Sequence, residues 1–428
     1  MLVLIADLFS LTVLGHTMVV LNSEEDAINL LQNRSSIYSD RPISPMMDAS
    51  GLISALRCND RWRTSRRLMH PWLHKQAIVS FDNSQQNEAR LLLKRLIAWD
   101  TGSSELLYHE VFTALSGTLL RSIYGYHING ASDPYLGEAI QLAYNLSQAS
   151  MPTNFLVNIF PSLRYVPTWL PGAGWKRVAS QWREQNNNIT ISLKLRAIHS
   201  CIIVNYARNL GLSTEELDDY LSQIGITLFV GKIWIRQLAS VQHSYLYLHM
   251  KAGAETTSNV ILIFVIAMML YPEVQQKAQT EIDEVIGDSR LPVMEDRHQL
   301  PYTNRLIQEV LRWCPVTPIG QSGPHATSDD DTYQGFRIPK GAMMAMSRDA
   351  KVYNNPETFD PDRFLDTSVP PCPVFGFGRR CCPGNHFAES SIFILITSLL
   401  AAFNIQVPTD ADGRAVISVL ASKDAIIL

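Results

Sequence analysis

The stretch TTSNVILIFVIAMML, residues 256–270, narrows the folds open to this chain more than any other. It is apolar on every face of a helix, so no side of it is suited to water. As a helix it would be about 22 Å long, shorter than the roughly 20-residue span that a bilayer core requires. Polar segments flank it. It therefore predicts a helix running through the middle of a protein core, and such a helix needs other helices around it. The run HFAESSIFILITSLLAAF, residues 386–403, makes the same demand. A chain of 428 residues, 46% hydrophobic and 18% charged, can supply those neighbours within one large domain or two tightly joined ones. Its formal net charge of -4 argues against a nucleic-acid binder, which needs a basic excess or stripe.

Most of the remaining sequence also reads helical. SQQNEARLLLKRLIAWD has apolar residues at helical spacing. In PEVQQKAQTEIDEVIG, Val274, Ala278, Ile282 and Val285 share a face, Pro272 opens the helix and Gly287 stands at its C-cap. YTNRLIQEVLRW is another amphipathic helix, stopped by Pro315. The apolar N-terminus, MLVLIADLFSLTVLGHTMVVL, raises the question of a membrane segment. Asp7, Gly15, His16 and the lack of a basic start favour instead two strands around a Gly turn. Short strands also fit YQGFRIP and NIQVP. The expected fold is mainly α with a small β portion, a strand-rich part over 1–50 and one domain over 1–428. Two places look irregular. Residues 229–250 are rich in β-formers within a helical stretch, and KGAMMAMSRDA leaves little room for a strand.

The six cysteines lack the paired short spacings of a zinc site and read as free thiols of a reducing compartment. One context stands out, FGFGRRCCPG at 375–384. Cys382 precedes Pro383, a residue favoured at the first position of a helix, and a helix N-terminus favours a thiolate. Gly376 and Gly378 would let a flat ligand lie close to the backbone, and Arg380 offers a fixed cation. Together these describe a thiolate ligand for a cofactor that carries carboxylates, with Cys381 a packing residue. The plainer alternative is a Gly-rich turn before a helix with an inert buried cysteine. A dinucleotide loop is disfavoured, because GFGRRC lacks the third glycine of GxGxxG.

Three further patterns admit two readings each. Glu309 and Arg312 lie at i and i+3 and can pair, either in a buried network or as a surface ion pair worth about 0.3–0.5 kcal/mol. In AGAETT, residues 252–257, Ala252 and Gly253 leave space beside the backbone, and Glu255 next to Thr256 sets an acid beside an alcohol. That is a proton relay or a capped helix start. In WRTSRR, Trp62 and Arg66 at i and i+4 present an indole N–H and a guanidinium to one carboxylate, or form an exposed basic turn.

The pattern FxxGxRxCxG, carried by Phe375, Gly378, Arg380, Cys382 and Gly384, resembles the haem-binding signature of the cytochrome P-450 family. The other patterns resemble that family's motifs in the right order. EVLR, with Arg363 of PDRF, resembles its ExxR and the third member of a Glu–Arg–Arg lock. AGAETT resembles its oxygen-activation segment. Trp62 and Arg66 resemble its WxxxR, and His325 in GPHAT resembles a further propionate contact. The similarity runs from about residue 11 to the C-terminus. MVVLNSEEDAINLLQNRSSIYSDRP and YPEVQQKAQTEIDEVIG look most like fungal microsomal members, including those of secondary metabolism.

The resemblance implies a helical haem domain with a small strand-rich subdomain, holding haem b by the Cys382 thiolate. It implies that Trp62, Arg66, Arg380 and His325 serve the propionates and that Glu309, Arg312 and Arg363 are structural. It makes Thr256 and Glu255 the residues that bring protons to O–O cleavage. The implied reaction inserts one atom of O2 into a lipophilic molecule, in secondary metabolism or xenobiotic oxidation. PVTPIG and the stretch from Leu52 to Leu56 would line the apolar pocket. No flavin, NADPH or iron–sulfur motif is present, so electrons come from a partner, by resemblance an NADPH–cytochrome reductase. The implied location is the cytosolic face of the endoplasmic reticulum membrane.

The chain departs from the family in three ways. It begins almost at the first strand, without the usual anchor and proline-rich hinge. Residues 230–249 do not resemble the helix expected before AGAETT. Most of the strand expected between Gly341 and Arg348–Asp349 is missing. A late start, a retained intron and a skipped stretch would leave these marks, and sequencing the transcript tests that. The alternatives are an inactive or misassembled member that does not hold haem productively, a haem-thiolate isomerase or dehydratase, and a membrane-embedded binding protein. The acid–alcohol pair speaks against the isomerase.

Overall fold

The apolar run at 256–270 lies within a helix, Ala254–Leu270, whose Val260, Ile261, Phe264, Ala267 and Met268 are all buried. In the computed structural model, residues 7–196 are described except for 51, 52, 54, 100–103, 131–132 and 151–153. Residues 213, 216, 219, 220, 223 and 224 are also described, followed by 254–316, 325–346 and 351–407. The irregular stretch at 229–250, Ala252 and Gly253, residues 317–320 of PVTPIG, Leu52, and Arg348–Asp349 lie outside the described residues.

The longer helices are α1 (Asp60–Leu73), α2 (Asp82–Ile97), α3 (Ser104–Tyr124), α4 (Pro134–Ser150), α5 (Gly174–Arg196), α6 (Ala254–Leu270), α7 (Pro272–Ile286), α8 (Pro301–Trp313) and α9 (Asn385–Ala402). Helix α6 packs on α3, α9 and α8, while α2 packs on α3 and α9. Two all-apolar helices are thereby enclosed by amphipathic ones. Polar side chains tie the layers at their ends. Gln279 Nε2 donates to the carbonyls of Leu400 (3.1 Å) and Phe403 (3.0 Å), and Gln275 Nε2 donates to Ile405 (2.9 Å), so α7 satisfies the backbone where α9 ends. Glu281 of α7 accepts from the N–H groups of Tyr302 (2.7 Å) and Thr303 (2.8 Å), capping the start of α8. Val274, Ala278, Ile282 and Ile286 form the buried face of α7, and Gly287 ends it with φ 74°.

The N-terminal strands are β1 (Leu8–Val13) and β2 (His16–Leu21), paired antiparallel with Val13 opposite His16. Leu14 and Gly15 turn the chain with φ 50° and 80°, the left-handed pair that a two-residue hairpin loop requires. The other strands are β3 (His325–Ala326), β4 (Asp331–Tyr333), β5 (Phe336–Ile338) and β6 (Met343–Met346). One sheet runs β1-β2-β6-β3, with β2 and β6 parallel, and β4-β5 form a separate hairpin. Among the described residues of the first 50, strands are confined to β1 and β2. Helical turns follow at Glu24–Ala27, in a π-helix at Ile28–Asn33 and at Pro45–Ser50.

Two sequence expectations are corrected here. KGAMMAMSRDA does hold a strand: β6 is bonded on both sides, by β2 and β3. Its methionines carry no β-branching, and the strand is supported by its neighbours. Residues 404–407 of NIQVP form no strand. The Gln275 side chain takes both the N–H and the C=O of Ile405, filling the places that ladder bonds would use.

Candidate active site

The segment 375–384 doubles back on itself. The Cys382 N–H donates to the Phe375 carbonyl (2.8 Å), and Gly378–Arg380 form a 3₁₀ turn inside the loop. Gly376 and Gly378 have φ 83° and 52°, so glycine is needed at both for the turn. A Cβ at Gly378 would run into the carbonyl oxygen of Leu31, so this glycine lets the loop seat on the π-helix at Ile28–Asn33 rather than opening backbone to a flat ligand. Space is open instead beside Gly384, where a Cβ would meet nothing within 4 Å. Pro383 is not the first helical residue. Helix α9 begins at Asn385 with Gly384 as its N-cap, and Cys382 sits in the turn before it.

Burial pushes the Cys382 thiol up, while the Gly384 N–H and the Arg66 guanidinium pull it back down. Cys382 nevertheless keeps accessible surface. Arg66 and the cysteine loop border the space around this thiol. Phe375, Gly384 and Arg66 are likewise half-buried.

Positive charge gathers beside this space. Arg380, from the loop, lies over the Trp62 ring at 4.3 Å and donates to the carbonyls of Ser39 (2.7 Å) and Leu56 (2.8 Å). Its Nη1 is buried with no partner. Arg66, four residues after Trp62 on α1, is pushed down by burial and held up by Cys382 and Cys381. Burial and the Arg380 cation bring Arg41 down to about 9. His325 of β3 is buried, with Nδ1 2.8 Å from the Tyr38 carbonyl. Burial, then Arg41 and Arg380, push it down to about 3. The nearby carboxylate, Asp40, is already engaged by Arg57 and by the Cys58 N–H at 2.9 Å. Cations drawn from several segments, with an orphaned guanidinium N–H on the loop that carries Cys382, fit a buried ligand with carboxylates at one edge. The donor set suits haem.

Sequence reasoning missed Arg41. Its neighbour Asp40 makes it look like half of a surface pair, and only the structure shows Asp40 spent on Arg57.

On the other side, Glu255 and Thr256 stand in the first turn of α6. Glu255 is 1% exposed and Thr256 half-buried. Burial, and then the charge of Glu255, push the Tyr108 phenol of α3 up. Neighbouring residues on a helix point about 100° apart, so acid and alcohol do not share a face.

Glu309, Arg312 and Arg363 meet in a buried network. Arg312 grips Glu309 with Nε (2.7 Å) and Nη2 (2.8 Å), and Arg363 Nε reaches the same carboxylate at 3.1 Å. Their other donors go to the carbonyls of Asn354, Pro356 and Thr358. The surface-pair reading is thus excluded by burial, and the network fastens α8 to the 354–363 loop.

A family model described as "Cytochrome P450" matches residues 5–194 and 245–421. The chain is similar to cytochrome P450 monooxygenase COX2 of Coprinopsis cinerea, 33% identical over 96% of this chain and 78% of that protein. It is also similar to cytochrome P450 monooxygenase 58 of Postia placenta, 34% identical over 96% and 78%. Among solved structures, a zebrafish cytochrome P450 with progesterone shares the fold. Its TM-score is 0.72 and its identity 23%, with 96% of this chain and 93% of that one covered.

Proposed function

Since the chain belongs to the cytochrome P450 family, a haem-thiolate enzyme class whose similar members here are monooxygenases, we propose that it oxidises a lipophilic small molecule in fungal-type secondary metabolism. The haem, when bound, supplies reductive activation of O2, and a thiolate ligand favours O–O cleavage. Cys382 would be that ligand. Arg380, Arg66 and Trp62, with His325 and Arg41 beside them, would hold the propionates. Thr256 would present its hydroxyl to the reacting side and Glu255 would be the proton reserve behind it. Ile53 and Leu56, packed on the helical core, would exclude water from the substrate. Glu309, Arg312 and Arg363 keep the scaffold in place without touching the reaction. The alternative of an inactive or misassembled chain gains no support from relatives that match 96% of it.

The observation that carries this reading is the half-buried Cys382, whose thiol interacts with Arg66, on the same loop as the orphaned Arg380 Nη1. The test is the carbon monoxide difference spectrum of the reduced protein. Wild type and Cys381→Ala should give the thiolate Soret band, and Cys382→Ala should lose it. Equal loss in both variants would refute the assignment.

The electron donor would be an NADPH–cytochrome reductase, met by the exposed Arg63, Arg67 and Lys75 of α1 and its continuation, with Arg379 of the cysteine loop. We place the protein on a membrane surface, at the cytosolic face of the endoplasmic reticulum. Leu11, Val13 and Leu14 of the first hairpin are exposed, as are Leu156, Phe160, Tyr165 and Trp169, the last by 79%. His16 Nε2 lies 3.0 Å from the Ile159 carbonyl, which joins the two groups into one face. Large aromatic and aliphatic side chains of this kind suit the headgroup boundary. Among the described residues, the single helix long and apolar enough to span a bilayer is α9, 67% of it buried in the core. Replacing Trp169 and Phe160 with Asp should abolish flotation of the protein with liposomes while leaving the Soret band intact. Unchanged flotation removes this face from the argument.

A further inference from the structure

Residues 37–40 run between the cysteine loop and β3, and each backbone carbonyl along them is spent. The Ile37 carbonyl accepts from the Ser328 N–H (2.8 Å) and the Asp40 carbonyl from the Ala326 N–H (2.9 Å). Between them, the Tyr38 carbonyl faces His325 Nδ1 at 2.8 Å, and the Ser39 carbonyl accepts from Arg380 Nε at 2.7 Å. Side chains fasten the segment as well. The Tyr38 phenol donates to Asp331 (2.9 Å), and Asp40 accepts from Arg57 Nε and the Cys58 N–H, both at 2.9 Å. One polar group is left over. Ser39 is 1% exposed, and its buried hydroxyl has no hydrogen-bond partner.

A buried serine on a helix can turn to the carbonyl four residues back, as Ser65 does to Arg61 at 2.9 Å. Ser39 lies outside any helix, and the carbonyls of its own segment are taken. A desolvated hydroxyl that bonds to nothing costs stability, and an alanine would fill the same place without that cost. Arg380 has the same peculiarity. It is 5% exposed, it is held by the Ser39 carbonyl, and its Nη1 is the other buried donor without a partner. Two residues in direct contact therefore each keep one donor unspent. Cations are already crowded here: burial and the Arg380 charge bring Arg41 down to about 9, so a further cation would add repulsion. A hydroxyl adds a donor without adding charge.

We propose that Ser39 is a further residue of the carboxylate-binding end: its hydroxyl donates a hydrogen bond to a carboxylate of the same bound group that Arg380 Nη1 serves. This rests on the haem reading above. Because residues 37–40 are fastened on both sides, the hydroxyl is placed in advance and little ordering cost falls on binding.

The test uses Ser39→Ala, with Ser39→Cys as a second variant that keeps a side chain of similar shape but is a weak donor. In haem-free protein, Ser39→Ala should unfold at the wild-type urea concentration or slightly above it, since the hydroxyl has no bond to lose. In haem-loaded protein, Ser39→Ala should release haem to apomyoglobin roughly ten- to hundredfold faster, the range set by one hydrogen bond to a charged group. Ser39→Cys should fall between the two. The propionate bending band in the resonance Raman spectrum should shift in Ser39→Ala while the iron–thiolate band stays in place. A purely structural serine would instead lower the haem-free midpoint and leave the propionate band unmoved. A lowered midpoint, an unmoved propionate band, or haem loss at the wild-type rate would each overturn the proposal. Should wild-type protein give no thiolate Soret band, the haem reading falls and this assignment with it. A normal Soret band with unchanged haem loss in Ser39→Ala strikes Ser39 alone.

Discussion

Removing the charge of Glu309 tests the structural half of the site. Four N–H donors converge on this carboxylate: Arg312 Nε and Nη2, Arg363 Nε and the backbone N–H of Asp360 at 2.7 Å. Its side chain is 0% exposed, that of Arg312 2% and that of Arg363 7%, so solvent screening is slight. Glu309→Gln keeps the shape but leaves two guanidinium groups without their counter-charge and aims an amide N–H₂ at one of them. Breaking a buried pair from one side costs about 3–5 kcal/mol, against a total stability of about 5–15 kcal/mol for a domain. The assay is urea unfolding at neutral pH, with the midpoint converted to free energy by a common slope. A control is Lys277→Ala, which removes a largely exposed bridge to Asp362 at 3.0 Å and should cost less than about 1 kcal/mol. If Glu309→Gln does not express in soluble form, Arg363→Lys is the milder probe. It keeps the charge, gives up the fork that reaches Asn354 and Thr358, and should cost about 1–3 kcal/mol. A loss in Glu309→Gln no larger than the Lys277→Ala loss would refute the reasoning, because the network would then behave as a surface pair.

Two further outcomes are expected. His325 is neutral when folded, with its pKa near 3 against an ordinary 6.5, so the unfolded chain binds more protons between these values. Its contribution is therefore present above pH 6.5 and lost as the pH falls toward 3. In haem-free protein, His325→Gln should remove roughly 2 kcal/mol of the stability drop between pH 7 and pH 5, measured by urea unfolding at both. An identical drop in both proteins would show that His325 is not held neutral. Gly378→Ala combines a left-handed φ of 52° with a collision against the Leu31 carbonyl. It should lower stability by about 1–3 kcal/mol and speed haem loss to apomyoglobin, whereas Gly384→Ala, which meets nothing, should leave stability within about 1 kcal/mol.

Legibility followed from how local the determining physics is. The enclosing helices were readable because a residue such as Phe264 or Ile394 has no polar face to offer, and periodicity reports that directly. The hairpin at Leu14–Gly15 was readable because a two-residue turn has its own chemistry. Strand β6 was not readable, since four residues without β-branching become a strand only between β2 and β3, which lie 300 residues away and nearby in sequence respectively. The cysteine motif reads as setting Cys382 at the N-terminus of the last helix, whereas helix α9 starts at Asn385. Gly378 reads as opening backbone to a ligand, whereas it seats the loop. Its constraint comes from Leu31, a contact that no spacing within the motif could disclose. Glu255 and Thr256 show the same limit: adjacency in sequence is a separation of about 100° on a helix, which spacing within the motif does not display.

The cations explain why such a site needs its ligand to be complete. Burial, together with the neighbouring cations, brings Arg41 down to about 9, Arg380 to about 10 and His325 to about 3. A carboxylate-bearing ligand at the orphaned Arg380 Nη1 would oppose these shifts, because an anion favours the charged form of each group. His325 would then regain a proton, because an anion favours the charged imidazole, and its Nδ1–H would still serve the Tyr38 carbonyl while Nε2 became a donor. Ligand binding should for that reason be accompanied by proton uptake at pH values above about 3, where His325 is otherwise neutral. The same electrostatics that make the protein sensitive to acid would favour a ligand with a dianionic edge.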